Sequence, residues 1–214
     1  MASASFPGVP VLLVLFFLEI NITPSLTQDT EQLIERICRQ MEQYGFCSQT
    51  FKENLKSPNA DIVGLTQITV ERALDNATQT HDFIRQLLES TTDPALKSAL
   101  ETCEYSYRLV MEAFQSAAVA FFQKDYDSVE KSESGTPRAE ASCVDSLSKM
   151  PPNTANPLTE RNNQMRILLA MALVSVHELK SIQNNEKFFI TTETQMVAGG
   201  MAIEGRSEDC GGEC

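Results

Sequence analysis

Residues 94–122 constrain the fold of this chain more than any other segment. Apolar and cysteine side chains recur there in alternating steps of four and three residues, at Leu96, Leu100, Cys103, Tyr107, Val110, Phe114, Ala117 and Phe121. This spacing is typical of an α-helix with one continuous buried face. Asp93 supplies a side-chain acceptor for the amides of the first turn, and Pro94 at the first helical position loses no hydrogen bond there. The segment predicts one long helix.

Three further segments repeat this pattern. Residues 61–88 and 157–182 predict two more long helices, and the second again starts with a capping residue, Asn156, followed by proline. A fourth helix is expected shortly after Pro137, with a broken turn before it, because glycine and proline interrupt the pattern there. The connections between these segments are short, which favours antiparallel neighbours. The sequence predicts an all-α protein built as an antiparallel up-down four-helix bundle.

A short helical hairpin is expected ahead of the bundle. Residues 30–44 predict an amphipathic helix that ends at Gly45, after which Phe46 and Cys47 turn the chain back. A disulfide from Cys38 to Cys47 would staple this segment and keep it from fraying.

The two ends of the chain differ from the part between them. Residues 9–18 are an unbroken apolar run, about half the ~20 residues that a membrane-spanning helix needs. A polar stretch follows, so residues 1–27 are interpreted as a secretory signal peptide, although its first residues lack the usual basic side chain. Residues 188–214, which lose the helical pattern, are expected to be a disordered Gly- and Glu-rich tail. The helical domain is placed at 28–187.

Cysteine usage also indicates secretion. Six cysteines could pair in ~15 ways, but four lie in the periodic part and Cys210 and Cys214 lie in the tail. The pairs that we favour are Cys38–Cys47 and Cys103–Cys143. Zinc binding is the alternative for four cysteines, but the chain has no Cys-x-x-Cys pair and its two histidines are isolated. We expect no metal ion and no cofactor, and leave the pairing of the tail cysteines open.

Charge and missing motifs exclude several classes of function. The formal net charge is −12, so nucleic acid and anionic membrane surfaces are poor partners. The chain has no phosphate-binding loop, no metalloprotease motif and no nucleophile elbow, and its two histidines offer few general bases. The chain is therefore not expected to be an enzyme. Asn76-Ala77-Thr78 is a glycosylation sequon, and we predict a glycan on Asn76.

Several short motifs lie at the spacings of a known family. Eight residues separate Cys38 from Cys47, and 39 residues separate Cys103 from Cys143. Residues 93–97 (Asp-Pro-Ala-Leu-Lys) come shortly before the third of these cysteines. With these motifs the chain resembles, from about residue 33 to 179, the plant invertase and pectin methylesterase inhibitor family, including its pollen-allergen-type members.

The resemblance implies a four-helix bundle preceded by a hairpin, with first-to-second and third-to-fourth cysteine bridges. It also implies inhibition: one surface of the bundle covers the substrate cleft of an extracellular plant enzyme in the apoplast, either a pectin methylesterase or a cell-wall or vacuolar invertase. Some invertase inhibitors carry Pro-Lys-Phe where this chain has residues 124–127. Asp125, Tyr126 and Asp127 are our candidate target contacts.

A second class of function stays open at this stage. A non-inhibitory secreted bundle, either an allergen-like protein or a carrier of a small apolar ligand, would share the same helices. A carrier needs an internal cavity. The large side chains of the 94–122 stripe indicate a filled core instead.

Overall fold

The computed structural model describes residues 27–152 and 154–201 of the chain, with side chains up to residue 185. This part of the chain is helical and contains no strand. The helices in chain order are α1 (Gln28–Cys38), α2 (Tyr44–Asn54), α3 (Ile62–Ser90), α4 (Pro94–Phe122), α5 (Tyr126–Glu133), α6 (Thr136–Ser148) and α7 (Thr159–Met201). The all-α prediction is confirmed.

Four columns of helix form the bundle. Helix α4 packs against α3 on one side and against α5 and α6 on the other, and α7 closes the ring by contacting α3, α5 and α6. Because α5 and α6 follow each other with a break between them, together they form the fourth column. The connection from α3 to α4 is residues 91–93 only, so these two helices are antiparallel neighbours.

Side-chain caps fix where the long helices begin. The Oδ1 atom of Asp61 accepts a hydrogen bond from the Gly64 amide at 2.8 Å. Asp93 Oδ1 likewise accepts from the amides of Ala95 at 2.8 Å and Leu96 at 3.2 Å. Each cap satisfies amides that the first helical turn leaves without a partner. Helix α4 has the bounds that the sequence predicts.

The predicted stripe of α4 is the centre of the core. Its members Leu100, Cys103, Tyr107, Val110, Phe114 and Ala117 are fully buried. Leu65 and Ile84 of α3 and Met165 of α7 are equally buried in the same cluster. Burial of one such large side chain is worth roughly 1.5–3 kcal/mol, so this shared cluster is the main force that holds the four columns together.

The N-terminal hairpin differs from the prediction in its details. The first helix ends at Cys38, not near residue 44, and Gly45 lies inside a second helix, α2. Glycine costs about 1 kcal/mol in the interior of a helix. Gly45 is only the second residue of α2, so the cost is smaller there, and Cys47 and Phe51 of the same helix are fully buried. The Cys38–Cys47 disulfide joins the two helices.

The fourth column is interrupted as the glycine and proline predict, but α6 begins at Thr136, before Pro137, and the segment ahead of the break is a helix, α5, and not a broken turn. Helix α5 ends at Glu133 and α6 begins at Thr136, with Gly135 between them and Pro137 in the first turn of α6. A disulfide from Cys103 to Cys143 ties α6 to α4 with a Cα–Cα distance of 4.3 Å. Both disulfides are the pairs favoured from the sequence.

Helix α7 runs further than the sequence indicates. The helical pattern fades near residue 184, yet the backbone is helical to Met201, so the first part of the expected tail, residues 188–201, is helix. A helix that has already been nucleated extends at little cost where neither proline nor glycine interrupts it, and glycine first recurs at Gly199. Residues 202–214, with Cys210 and Cys214, lie outside the described residues, as does almost all of the proposed signal peptide. In the described part, no helix is long and apolar enough to cross a membrane.

The two disulfides should stabilise the chain unequally. Cys103–Cys143 closes a loop with a sequence separation of 40, and Cys38–Cys47 closes one of 9. In the chain-entropy account these loops are worth roughly 4 and roughly 2.5–3 kcal/mol. We expect replacement of Cys103 and Cys143 by alanine to lower the free energy of unfolding more than replacement of Cys38 and Cys47 by alanine. Urea unfolding of the two double variants tests this order, and a reversed order would contradict it.

Candidate functional site

The turn between α4 and α5 has a defined backbone conformation. The Lys124 amide donates to the Phe121 carbonyl at 2.9 Å, and the Asp125 amide donates to the Ala120 carbonyl at 3.0 Å. Lys124 adopts the left-handed conformation with φ 58°. This is the Schellman ending of a helix, in which glycine usually occupies the left-handed position. The lysine there carries a conformational cost of roughly 1 kcal/mol, which its surroundings overcome.

Asp125 is the capping residue of α5. Its Oδ1 accepts from the Ser128 amide at 3.1 Å and its Oδ2 accepts from the Ser128 hydroxyl at 2.6 Å. These hydrogen bonds to Ser128 hold the pKa of the carboxyl below its ordinary value. The carboxylate is therefore both ordered and ionised on the surface.

Tyr126 is not available for a direct contact, and this part of the candidate site is corrected. Its side chain is only 7% exposed, and its ring lies 5.7 Å from the ring of Phe121, measured between centroids. Burial, with the charge of Asp61, raises the pKa of its hydroxyl. Tyr126 packs α5 onto the bundle because its position in the turn directs the ring inwards.

Asp127 is exposed and paired. Its side chain is 86% exposed, and its Oδ1 lies 2.6 Å from Lys180 Nζ on α7. Lys180 also pairs with Glu130 of α5, and these two partners raise the pKa of the ammonium. These ion pairs connect α5 to α7 at the surface and place Asp127 next to Lys180.

A large exposed aromatic side chain lies beside this turn, and the sequence reasoning missed it. Phe122 is 76% exposed, and Val119, one turn earlier on α4, is also exposed. The signal was available, because both residues fall off the stripe that ends at Phe121. We call Val119, Phe122, Asp125 and Asp127 the α4–α5 surface. It combines apolar and acidic groups on an ordered backbone.

Two carboxyl groups are buried in the fourth column, which sequence reasoning also missed. Glu133 is 0% exposed and neither of its oxygens has a hydrogen-bond partner. Burial and the nearby charge of Glu130 raise its pKa to about 8. Glu140 is 4% exposed, and burial raises its pKa to about 7 although Arg166 opposes the shift. The sequence contains a signal for the burial of Glu133, because Val129 precedes it by one helical turn and lies on the same buried face of α5.

Asn76 lies in the middle of α3 and is half-buried. Its Oδ1 is buried without a hydrogen-bond partner, and the side chain borders a shallow pocket with Phe46 and Thr50 of α2. The sequon therefore faces the hairpin as well as solvent. The glycan stays a prediction.

Comparison with known proteins decides the family. A sequence model described as "Plant invertase/pectin methylesterase inhibitor" matches residues 32–176, which covers both disulfides and most of the bundle. The chain belongs to this family. Because it is a family of inhibitors and not of catalysts, this family member is not itself an enzyme.

Individual relatives are named either as pectinesterase inhibitors or as inhibitors of a fructosidase. A protein of Actinidia deliciosa named "Pectinesterase inhibitor" is 28% identical over 164 residues, 77% of this chain and 88% of the relative. The "Cell wall / vacuolar inhibitor of fructosidase 2" of Arabidopsis thaliana is 30% identical over 118 residues, 55% of this chain and 66% of the relative. A mutant form of a pectin methylesterase inhibitor from Arabidopsis shares the fold, with a TM-score of 0.60 at 19% identity over 67% of this chain and 95% of that one.

The buried Glu133 should make the stability of this inhibitor-family chain depend on pH. Between its ordinary pKa of 4.5 and its pKa of about 8 in the fold, the folded chain holds a proton that the unfolded chain has released. The contribution of Glu133 to the free energy of unfolding is therefore fully present below pH 4.5 and is lost as the pH rises towards 8, by up to about 1.4 kcal/mol per pH unit. Glu133→Gln removes this titration, so its stability should fall less steeply.

Urea unfolding between pH 5 and 8 measures the slope for the wild type and the variant. Glu101→Gln is the control, because Glu101 is an exposed acid on α4. Equal slopes for wild type and Glu133→Gln would show that the buried carboxyl does not hold its proton in the fold.

The sequon at Asn76 can be tested directly. We expect the protein secreted from plant cells to carry a glycan there, because the sequon is intact and part of the side chain reaches solvent. Glycosidase treatment followed by mass spectrometry should reduce the mass, and Asn76→Gln should abolish the reduction. A native protein with no mass change would refute the modification.

Proposed function

We propose that this chain is a secreted protein inhibitor that covers the substrate cleft of a cell-wall carbohydrate-active enzyme, either a pectin methylesterase or an invertase. The family match over residues 32–176 carries the proposal. Relatives named for each of the two targets are similar to this chain at nearly equal identity, 28% and 30%, so the choice between the enzymes is left to experiment. The proposed signal peptide over residues 1–27 would deliver the protein to the apoplast.

Rigidity is the property that makes such a bundle a suitable inhibitor. The hairpin and the fourth column are each held by a disulfide, and the Asp125 carboxylate on the surface is positioned before binding by its two hydrogen bonds from Ser128. An ordered surface loses little conformational entropy when it binds, so more of the contact energy appears as affinity. Inhibition then needs no chemistry: the bundle occupies the cleft and excludes the substrate.

The α4–α5 surface is the contact region that we propose. An exposed aromatic side chain such as Phe122 is the kind of residue that contributes most to interface affinity once it enters a pocket on the partner. Asp125 and Asp127 beside it supply fixed negative charge, which favours a cleft with a basic rim and accelerates association. Tyr126 contributes indirectly, because its packing keeps the turn in place.

The contact region can be tested with two variants assayed against both enzymes. Phe122→Ala removes the aromatic contact, and we expect it to weaken inhibition of the true target by about 30-fold, the effect of losing one dominant interface residue. Asp125→Asn combined with Asp127→Asn removes both charges while asparagine preserves the cap of α5. We expect this pair to slow association several-fold, with the effect decreasing as salt is added.

The assay uses the disulfide-intact mature protein with purified pectin methylesterase and purified cell-wall invertase at about pH 5. Glu101→Gln is the matched control, since this exposed acid lies on α4 about 30 Å from Phe122 at 1.5 Å per residue. Thermal unfolding checks that the variants remain folded. If the wild type inhibits one of the enzymes and both variants inhibit it equally well, the α4–α5 surface is not part of the interface. Failure to inhibit either enzyme would favour the non-inhibitory bundle.

A further inference from the structure

A groove of about 600 Å³ runs between α6 and the first turns of α7. We define the α6–α7 groove by Glu140, Val144, Asp145, Asn162, Asn163 and Arg166. Its volume lies within the range of small-molecule pockets. Arg166 is 14 residues from Lys180 on α7, which is about 20 Å along the helix at 1.5 Å per residue. The groove is therefore separate from the proposed inhibitory surface.

The base of the groove is formed by buried polar side chains. Glu140 is almost fully buried, and its Oε1 has no hydrogen-bond partner. Asn162 beside it is also buried, and its Oδ1 accepts a hydrogen bond from the Tyr107 hydroxyl at 2.8 Å. This hydrogen bond fixes the orientation of the Asn162 side chain from the core side. A buried polar atom without a partner is costly, which favours the neutral form of the Glu140 carboxyl over the charged one.

The charges at the rim are already balanced. Asp145 pairs with Lys149 at 2.6 Å, and Arg166 pairs with Glu42 of the hairpin connection. Burial raises the pKa of Glu140 to about 7, so its carboxyl is protonated in a mildly acidic compartment and can both donate and accept. The side-chain amide of Asn163 has the same dual capacity. The groove thus presents neutral hydrogen-bonding groups.

One wall of the groove is apolar. Val144 of α6 is exposed there, and Ala141 lies beside it. A ligand with several hydroxyl groups around a weakly apolar ring would fit these surroundings. Its hydroxyl groups could donate to and accept from the amides and the carboxyl, and the face of its ring could pack against the apolar wall. Asp145 and Arg166 are each engaged in an ion pair, so a charged ligand would have to compete with Lys149 or Glu42 for its counter-charge.

We propose that the α6–α7 groove binds a neutral polyhydroxylated small molecule the size of one or two sugar rings, with Glu140 and Asn163 as its hydrogen-bonding partners. This site goes beyond the proposed inhibitory function and does not depend on it. Binding requires only that the groove and the bundle are intact. Occupation of the groove is a property of α6 and α7, whereas inhibition is assigned to the turn before α5.

Titration of the full mature protein followed by two-dimensional NMR at about pH 5 tests the site. The probes are glucose and sucrose, with putrescine as a cationic comparison and galacturonate as an anionic one. We expect saturable shifts for a neutral sugar, confined to the amides of residues 140–148 and 159–166. The absence of saturable shifts with both neutral sugars would overturn the proposal. Tighter binding of putrescine or galacturonate would overturn the assignment to a neutral ligand.

Variants connect the shifts to the named residues. Glu140→Leu removes the hydrogen-bonding group, and we expect it to weaken sugar binding by about tenfold or more. Glu140→Gln keeps that capacity and should weaken binding by less than about threefold. Glu140→Leu should fold, because replacing an unpaired buried polar group by an apolar one of similar size carries little penalty. Glu140→Gln should fold because it keeps the size and the polarity of the neutral carboxyl.

Asn163→Ala is the second test, in case the leucine variant alters the groove. It should weaken binding about fivefold, since one hydrogen-bonding amide is lost from the wall. Glu101→Gln, which lies at the seam between α3 and α4, should leave binding unchanged. If the wild type binds a sugar but Glu140→Leu and Asn163→Ala both bind it with the affinity of the wild type, the proposed site is wrong.

Discussion

The burial of one face of α4 is the interaction on which the other elements depend. Its side chains contact α3 on one flank and both halves of the fourth column on the other, so three of the four columns meet on this stripe. Tyr107 shows how complete the burial is, because its hydroxyl needs and finds an internal acceptor in Asn162. The Cys103–Cys143 disulfide acts on the same contact and fixes the broken column to the helix that carries it.

A broken fourth column has consequences that an unbroken helix would not have. Because α5 is short, it is held by the Lys180 ion pairs and by the packing of Tyr126 and Val129. The same break leaves Glu133 at the end of α5, enclosed and without a partner. A buried carboxyl without a partner is tolerated when it is protonated and therefore neutral. Glu133 thus contributes more to the stability of the bundle at acidic pH than at neutral pH. The proposed apoplastic setting is compatible with this chemistry.

The helices were predictable where periodicity was strong, and the candidate site was predictable only in part. Asp93 and the stripe that follows it fixed α4 to the residue, since capping and spacing are local properties. Gly45 predicts the end of the first helix, but that helix ends at Cys38 and Gly45 belongs to α2, because Cys47 and Phe51 are buried against the rest of the bundle. The sequence places Tyr126 with its two acidic neighbours in one turn, but only the direction of the turn decides which side chains point outwards.

The sequence by itself determined the helical class, the number of long helices and the four cysteines that could pair, because each of these follows from spacing along one chain. Only the tertiary structure decided that the ring of Tyr126 turns inwards after α4, and that the buried carboxyls of Glu133 and Glu140 have oxygens without a hydrogen-bond partner. These outcomes depend on which helix lies opposite each side chain. No property of a single helix encodes that neighbour, so the groove and the contact surface become visible only when the columns have packed.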